Sequence, residues 1–205
     1  LDHCSRFGKR VLVASTSEVY GDPRTEEPFR EDDRRVYGPT TQKRWLYADS
    51  KAMDEYLALA YHQERDLDFV VARLFNTVGP RQSGRYGMVV ARFVQAAVAN
   101  RPLEIHGDGT QTRTFCHVQD TIRALARLME SPATTGEIYN VGSRNWLSIA
   151  ELAARVLELT GSSSELGIFV RMPPSWRYLR TTEVRAADAP IRVAWLADGD
   201  AGDAQ

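Results

Sequence analysis

A tyrosine and a lysine four residues apart, Tyr47 and Lys51 in the run "WLYADSKAMDEY", are the residues whose types and spacing suggest chemistry most directly. Side chains at this spacing share one face of a helix. An ammonium group beside a phenol favours the phenolate, which can act as a general base towards a hydroxyl proton. The alternative is an ordinary surface contact, since a chain with eight tyrosines can contain such a spacing by chance.

The elements around this pair place it at the edge of a predicted parallel sheet. Two apolar runs, Val11 to Ser15 and Phe69 to Phe75, are typical of buried strands, and residues 45–64 between them have the period of an amphipathic helix. Strand, helix and strand in this order predict a right-handed crossover. The polar run "STSEVYG" then follows the first strand, at the edge where open α/β folds bind ligands.

Beyond Phe75 the pattern predicts three more helices and three short strands. Helical periodicity is found in residues 88–99, 120–130 and 149–160, and "EIYNVG" is typical of a strand. The segment 102–118 predicts a hairpin of two strands about a Gly-Asp-Gly turn. The predicted helix caps are Asp120, the capping box of Ser148 with Glu151, and the stop at Gly161. The predicted inward-facing residues of the last two helices are Ile122, Leu125, Met129, Ile149, Leu152, Val156 and Leu159.

Composition limits the classes of function. The 205 residues are 43% hydrophobic and 26% charged, and a formal net charge of -1 gives no electrostatic reason to expect nucleic acid or an anionic membrane as partner. The two cysteines, Cys4 and Cys116, lack metal-ligand spacing, so no metal site is expected and a reducing compartment fits. No apolar run approaches the roughly 20 residues of a membrane span, and the first residues do not resemble a signal peptide. We expect a cytoplasmic protein.

Five segments in sequence resemble one family. They are "STSEVYG", "YADSK", "RLFNTVGPR", "GDGTQTRTFCHVQD" and "IYNVGS", and together they are similar to the NAD-dependent epimerase/dehydratase family, the extended short-chain dehydrogenases that act on sugar nucleotides. The resemblance implies an α/β fold. Residues 1–80 would be the second half of a Rossmann-type parallel sheet, and residues 81–170 a smaller, interleaved α/β lobe for the sugar nucleotide. Residues 171–205 form a divergent tail for which no regular structure is predicted.

The resemblance implies roles for particular residues. Tyr47 would be the base that takes the proton from the sugar 4-hydroxyl while hydride passes to NAD, and Lys51 would hold the nicotinamide ribose and favour the phenolate. Thr16 would hold the sugar O4, and Ser17 and Glu18 match the pair used by decarboxylases of the family. Within the family, "STSEVYG" is most similar to UDP-glucuronate decarboxylases, with UDP-glucose 4-epimerases as the near alternative.

The resemblance also implies contacts with the cofactor NAD and with a nucleotide sugar, of which a UDP-sugar fits best. Asn76 and Arg81 lie in the loop that in the family runs beside the cofactor and the substrate diphosphate. Arg113 matches the arginine that contacts the nucleotide phosphates, for which a forked guanidinium is well suited. Members of the family form dimers through the helix that carries the catalytic pair. Met53, Tyr56, Leu57 and Tyr61 could supply that surface or belong to the core.

The chain departs from the family at both ends. The strand, GxxGxxG turn and helix that bind the pyrophosphate do not occur in it, so we expect an N-terminally truncated chain that is inactive in isolation. A non-catalytic remnant, such as a nucleotide-binding or subunit-interaction module, is the alternative. The abrupt loss of pattern after Val170 suggests a frameshift or a wrongly assigned gene end, which translation of the other two reading frames would test.

Overall fold

The computed structural model describes residues 1–22, 27–86, 88–171, 183–186 and 189–196. In chain order its main elements are α1 (Asp2–Arg6), β1 (Val11–Thr16), a 3-10 turn (Ser17–Tyr20), α2 (Arg44–Arg65), β2 (Phe69–Leu74), β3 (Thr77–Val78), α3 (Val89–Val98), β4 (Leu103–His106), β5 (Thr112–Thr114), β6 (Cys116–His117), α4 (Val118–Glu130), β7 (Ile138–Val141), β8 (Trp146–Ser148), α5 (Ile149–Thr160), β9 (Leu166–Arg171), β10 (Glu183–Ala186) and β11 (Ala189–Leu196). Two compact units result: Leu1–Gly79 with Thr114–Arg144, and Pro80–Arg113 with Asn145–Gln205. Across the described ranges, no helix is both long and apolar enough to span a bilayer.

The first unit is built on a parallel sheet in the order β1-β2-β7. The central strand β2 begins with four residues, 69–72, that are fully buried, because helices cover both of its faces. Ala58 of α2 packs against Phe69 and Val71 on one face, and Leu128 of α4 packs against Val70 and Ala72 on the other. The predicted strand-helix-strand crossover in a parallel α/β sheet is therefore confirmed.

The sheet register brings three polar residues into one row near the carboxyl ends of the strands. Ser15 of β1 lies beside Arg73 of β2, and Arg73 lies beside Asn140 of β7. One residue further on, Thr16 pairs with Leu74. Neighbouring strands in register present these side chains to the same face of the sheet, so the polar row continues the apolar face that α2 covers.

The second unit contains a four-stranded sheet in the order β10-β11-β9-β4. The hairpin predicted about Gly107-Asp108-Gly109 does not form: β4 pairs in parallel with β9, while β5 pairs with β8. Both glycines have positive φ, and the carbonyl of Gly109 accepts a hydrogen bond from the backbone N–H of Ala150 at 3.0 Å. The turn is therefore held by the start of α5, and this separates the two strands.

Helix α4 differs from its prediction in its cap and its buried face. The N-cap is His117, whose Nδ1 accepts from the N–H of Gln119 at 3.3 Å, whereas Asp120 lies in the first turn and pairs with Arg123. Thr121 and Leu128 are buried, whereas two of the predicted inward residues are exposed, at positions 122 and 129. The predicted and the observed residues lie on adjacent faces of α4, and both sets have helical spacing. The face that contains Leu128 is the one that packs on β2.

Helix α5 agrees with its predicted caps. Ser148 and Glu151 form the capping box, and Gly161 ends the helix in the left-handed conformation. Three of the four predicted core residues, at positions 149, 152 and 156, are buried, but Leu159 is exposed. Beyond Val170, β10 and β11 lie in the segment for which the sequence predicts no regular structure, and residues 172–182, 187–188 and 197–205 of that segment lie outside the described residues.

The capping box provides a test of the second unit. The Ser148 hydroxyl accepts from the N–H of Glu151 at 3.1 Å, and Glu151 Oε2 accepts from the N–H of Ser148 at 2.8 Å. Ser148→Ala should lower the free energy of unfolding in urea by about 1 kcal/mol, because an N–H at the start of α5 loses its acceptor. Ser163→Ala, at an exposed serine of the same unit, should change it by less than about 0.5 kcal/mol. Equal effects of the two substitutions would contradict the role of the cap.

Candidate active site at the end of the first strand

Thr16, Ser17 and Glu18 lie where β1 ends and the 3-10 turn begins. Thr16 is buried, and its Oγ1 accepts from the N–H of Glu18 at 3.3 Å, so the hydroxyl caps the turn and keeps its own proton free to donate. Ser17 is half-buried and Glu18 is exposed. The sequence therefore places a hydroxyl, a second hydroxyl and a carboxylate in succession at the carboxyl end of a parallel strand.

Tyr47 and Lys51 lie on the first two turns of α2, which packs against β1 and the 3-10 turn. Ala52, the residue after Lys51, is buried against Val19 and Tyr20 of that turn. The phenol of Tyr47 is exposed, with 56% of the residue accessible. The Nζ of Lys51 binds Oδ2 of Asp54 at 2.7 Å, so the lysine is paired with a carboxylate of its own helix.

Asn76 follows β2 at the same edge of the sheet, two residues beyond the residue that pairs with Thr16. Its side-chain Nδ2 donates to the backbone carbonyl of Thr114 at 2.9 Å. Its backbone carbonyl accepts from the N–H of Cys116, also at 2.9 Å. These bonds fix the start of the loop after β2. The first unit thus contains six of the predicted site residues: Thr16, Ser17, Glu18, Tyr47, Lys51 and Asn76.

The other two predicted residues, Arg81 and Arg113, belong to the second unit. Both are exposed. Arg81 has a φ of 66°, a left-handed backbone conformation that residues other than glycine adopt rarely. Arg113 lies in β5 and donates from NH1 to the carbonyl of Thr112 at 2.7 Å, which leaves most of its guanidinium N–H groups for other acceptors.

The sequence reading missed a buried ion pair behind the site. Glu55 of α2 and Arg73 of β2 form a two-pronged contact, with Nε to Oε1 at 3.0 Å and NH2 to Oε2 at 2.7 Å. Their side chains are only 7% and 8% accessible. Ser15 also donates its hydroxyl to Glu55 Oε1. The available signal was a single arginine within the apolar strand "FVVARLF", since a buried charge requires a partner.

Arg73 also binds the segment that leads from the 3-10 turn towards α2. Its NH1 donates to the Tyr20 hydroxyl at 2.9 Å and to the carbonyl of Glu31 at 2.8 Å. The Tyr20 hydroxyl in turn donates to Oδ1 of Asn140 at 2.7 Å, and the ring of Tyr20 stacks on Phe29. The strand row and the connecting segment are therefore held by one hydrogen-bonded network.

The protonation states within this network follow from burial and pairing. Burial alone would lower the pKa of Arg73, but hydrogen bonds to Glu55 and Tyr20 outweigh it and leave the pKa raised above its ordinary value. Burial raises the pKa of Tyr20, and the hydrogen bond from Arg73 offsets only part of that rise. Arg73 is thus a permanent cation, and Tyr20 remains a neutral hydroxyl at physiological pH.

The backbone at Gly21, at the end of the 3-10 turn, lies very close to the backbone at Val36. Gly21 has a φ of 81°, and a Cβ built on it would lie 2.0 Å from the carbonyl oxygen of Val36. The same carbonyl accepts from the N–H of Asp22 at 2.8 Å, and the N–H of Val36 donates to the carbonyl of Tyr20 at 2.9 Å. The end of the 3-10 turn and Val36 therefore pair like a short piece of sheet.

The donors in the first unit suit part of a dinucleotide. A lysine ammonium, a phenol and an exposed amide, at positions 51, 47 and 76, can bind ribose hydroxyls and a carboxamide. A glycine-rich turn between a strand and a helix, which a pyrophosphate requires, is not found in the described part of the chain. Those residues also contain no cluster of three His, Cys, Asp or Glu side chains that could hold a metal ion.

Comparisons with curated proteins identify similar enzymes. The sequence model of the NAD dependent epimerase/dehydratase family matches residues 1–142. UDP-N-acetyl-alpha-D-glucosaminuronate decarboxylase of Bacillus cytotoxicus is 43% identical over 159 residues, which are 77% of this chain and 48% of that protein. UDP-glucuronic acid decarboxylase 5 of Arabidopsis thaliana is 37% identical over 183 residues, 89% of this chain and 52% of that protein. The chain spans about half the length of the curated relatives it matches.

Solved structures show the same relationship. UDP-glucuronic acid 4-epimerase from Bacillus cereus, in complex with UDP-glucuronic acid and NAD, is 28% identical with a TM-score of 0.72, over 82% of this chain and 51% of that chain. dTDP-glucose 4,6-dehydratase from Bacillus anthracis, in complex with NAD, is 25% identical with a TM-score of 0.73, over 84% of this chain and 53% of that chain.

The contact between Gly21 and Val36 can be tested with a matched pair of glycines. Gly8 also has a positive φ, but a Cβ built on it would meet nothing within 4 Å. Gly8→Ala should therefore cost only the backbone strain, about 1 kcal/mol, whereas Gly21→Ala should cost at least about 2 kcal/mol more because the methyl group must displace the Val36 carbonyl. Urea unfolding of both variants measures the difference, and equal costs would contradict the close approach.

Proposed function

Because the chain belongs to the NAD dependent epimerase/dehydratase family, we propose that it carries the catalytic residues of an NAD-dependent enzyme that decarboxylates UDP-glucuronate. The observation that carries the proposal is the position of Thr16, Tyr47 and Lys51. One is at the end of β1, and the other two are on α2, which packs on that strand. The decarboxylases among the relatives, 35–43% identical, favour this reaction over others of the family.

The proposed roles follow from the chemistry of each side chain. The Tyr47 phenolate takes the proton of the sugar 4-hydroxyl, and the Thr16 hydroxyl donates to the same oxygen and holds it in place. Lys51 is assigned to the nicotinamide ribose, whose hydroxyls its ammonium group can bind. NAD, when bound, supplies the acceptor for the C4 hydride and afterwards its return, so net redox is zero.

Decarboxylation follows from oxidation at C4. A 4-keto group makes the C6 carboxylate a β-keto acid. The C5–C6 bond breaks to release carbon dioxide, its electron pair moves towards the C4 carbonyl, and C5 takes a proton. Ser17 and Glu18, next to Thr16, are the residues that we assign to the carboxylate end of the sugar. When C4 is reduced again, Tyr47 returns its proton to O4.

Three further residues are assigned to the remaining contacts of the substrate and the cofactor. We assign Asn76 and Arg81 to the region of the cofactor and the substrate diphosphate, and Arg113 to the nucleotide phosphates. Exposed guanidinium groups suit this task because they bind phosphate oxygens with two parallel hydrogen bonds. The pyrophosphate of NAD requires a glycine-rich unit, so the chain in isolation should be inactive.

Two alternatives are defined by their products. A 4-epimerase would interconvert UDP-sugars at C4 without releasing carbon dioxide. The similarity to the Bacillus cereus epimerase structure supports this alternative. A non-catalytic remnant would bind UDP or NAD without turnover. Titration of UDP and NAD against the chain measures binding. Assays for carbon dioxide and for the C4 epimer, made on the protein expressed from the complete reading frame, then separate the decarboxylase, the epimerase and the remnant.

A homodimer and a cytoplasmic location are part of the proposal. Three apolar residues on one face of α2 are exposed, Leu46, Met53 and Leu57, and they form a stripe at helical spacing that a second copy could cover. Tyr56 is exposed as well, whereas Tyr61 packs on the core cluster around Phe69. Both cysteines are free, which is compatible with a reducing compartment.

Tyr47→Phe tests the assigned base. In the protein expressed from the complete reading frame, the substitution should lower kcat for carbon dioxide release from UDP-glucuronate by about 100- to 10,000-fold, because no group remains to take the O4 proton. Tyr61→Phe on the same helix is the control and should leave kcat unchanged. Unaltered kcat in Tyr47→Phe would contradict the role, and a C4 epimer formed without carbon dioxide would favour the epimerase.

Leu57→Asp tests the dimer. A carboxylate on the apolar stripe should be costly to bury in an interface, so the variant should sediment as a monomer in analytical ultracentrifugation. Leu159→Asp, at an exposed leucine of α5, is the matched control and should leave the mass unchanged. A Leu57→Asp protein with unaltered mass would exclude this stripe as the interface.

A further inference from the structure

Glu55 and Arg73 form an ion pair to which the proposed mechanism assigns no task. Both side chains are more than nine-tenths buried. Removing two charges from water is costly, and well-packed apolar residues of similar volume often stabilise a core as well or better. Stability alone therefore does not account for the pair. Its directionality, which an apolar contact lacks, suggests another role.

The carboxylate of Glu55 is tied to two strands at once. Arg73 of β2 binds both of its oxygens, and the hydroxyl of Ser15 in β1 donates to Oε1. Ser15 precedes Thr16, whose hydroxyl is proposed to hold the substrate. The hydrogen bond from Ser15 therefore joins α2 to β1 one residue before that hydroxyl. The remaining NH1 of Arg73 is used by Tyr20 and Glu31, which keeps the guanidinium from turning away.

The position of Glu55 on the helix connects it to the proposed base. Tyr47, Lys51 and Glu55 are four residues apart, and each such step turns about 40° around the helix and rises about 6 Å. Fixing the direction of Glu55 therefore fixes the directions of the other two. A side-chain tip about 6 Å from the axis moves by about 1 Å when the helix rotates by about 10°. A misplacement of about 1 Å can cost about 100-fold in rate.

We propose that Glu55 is a positioning residue for the reaction. Its hydrogen bonds with Arg73 and Ser15 set the rotation of α2 against β1 and β2, and thereby where Tyr47 and Lys51 stand relative to Thr16. This inference rests on the proposed function, in which Tyr47 is the base.

The test removes both charges together. In the protein expressed from the complete reading frame, Glu55→Gln with Arg73→Met keeps an acceptor for the Ser15 hydroxyl and leaves no unpaired buried charge. The midpoint of urea unfolding should fall less than in Arg73→Met alone, because no unpaired carboxylate stays buried, although the Tyr20 hydroxyl and the Glu31 carbonyl lose a donor. In contrast, kcat for carbon dioxide release should fall by about 100-fold, with KM for UDP-glucuronate within about threefold of the unaltered protein.

Two further variants complete the design. Glu55→Asp keeps the charge but shortens the side chain by one methylene group, so it should also lower kcat more than it changes KM. Asp68→Asn is the control. It breaks the ion pair of Asp68 with Arg10, which lies at the amino ends of β1 and β2, away from the candidate site. It should leave kcat unaltered. Full kcat in both Glu55 variants would overturn the proposal. Loss of kcat that only follows the unfolded fraction of the variant under the assay conditions would also overturn it.

A crystallographic measurement separates this inference from the proposed function. In crystals of the double variant, Tyr47 Oη should be displaced by about 1 Å relative to Thr16 Oγ1. If the unaltered protein releases no carbon dioxide, the proposed function fails and these positions alone decide the matter. A displaced Tyr47 would then support the positioning role, and an unmoved one would overturn it.

Discussion

The ion pair between Glu55 and Arg73 connects the three parts of the first unit on which the candidate site depends. Glu55 belongs to the helix that carries Tyr47 and Lys51, Arg73 belongs to the central strand, and the free end of the guanidinium binds the segment that follows the 3-10 turn. Both charges are buried, and each side-chain nitrogen and oxygen of the pair has a hydrogen-bond partner. The helix therefore has one rotation against the sheet that satisfies the pair, and a different rotation would leave a buried charge without its partner, at a cost of several kcal/mol.

The site that results combines rigid elements with an accessible face. Thr16 is buried at the end of a strand, whereas Tyr47 is exposed on a helix that packs against that strand. A general base needs access to its substrate, and its accuracy depends on supporting groups that are not accessible. The row of Ser15, Arg73 and Asn140 supplies that support from within the sheet. The two arginines that we assign to phosphate, Arg81 and Arg113, are proposals that these contacts of the first unit do not test.

Much of this arrangement could be predicted from the sequence, and the failures have physical causes. The strands at residues 11 and 69, the helix between them and the family itself were predicted and are confirmed. Their signals are local: apolar runs, helical period and short motifs. The prediction of a hairpin at Gly107 was wrong because β4 pairs with β9 and β5 pairs with β8. These partners lie far along the chain, and no local pattern reveals them. Glu55 was missed because a glutamate on a helix is usually solvated, and its burial depends on an arginine 18 residues away. The roles of Thr16, Ser17, Glu18, Tyr47, Lys51, Asn76, Arg81 and Arg113 remain predictions.

The central claim is that the strand end and the helix face jointly hold one oxygen of a nucleotide sugar. A crystal structure of the complete protein with NAD and UDP-glucuronate measures this directly. The account predicts that the sugar O4 lies within about 2.6–3.2 Å of both Tyr47 Oη and Thr16 Oγ1. A sugar bound with O4 away from both oxygens would contradict it.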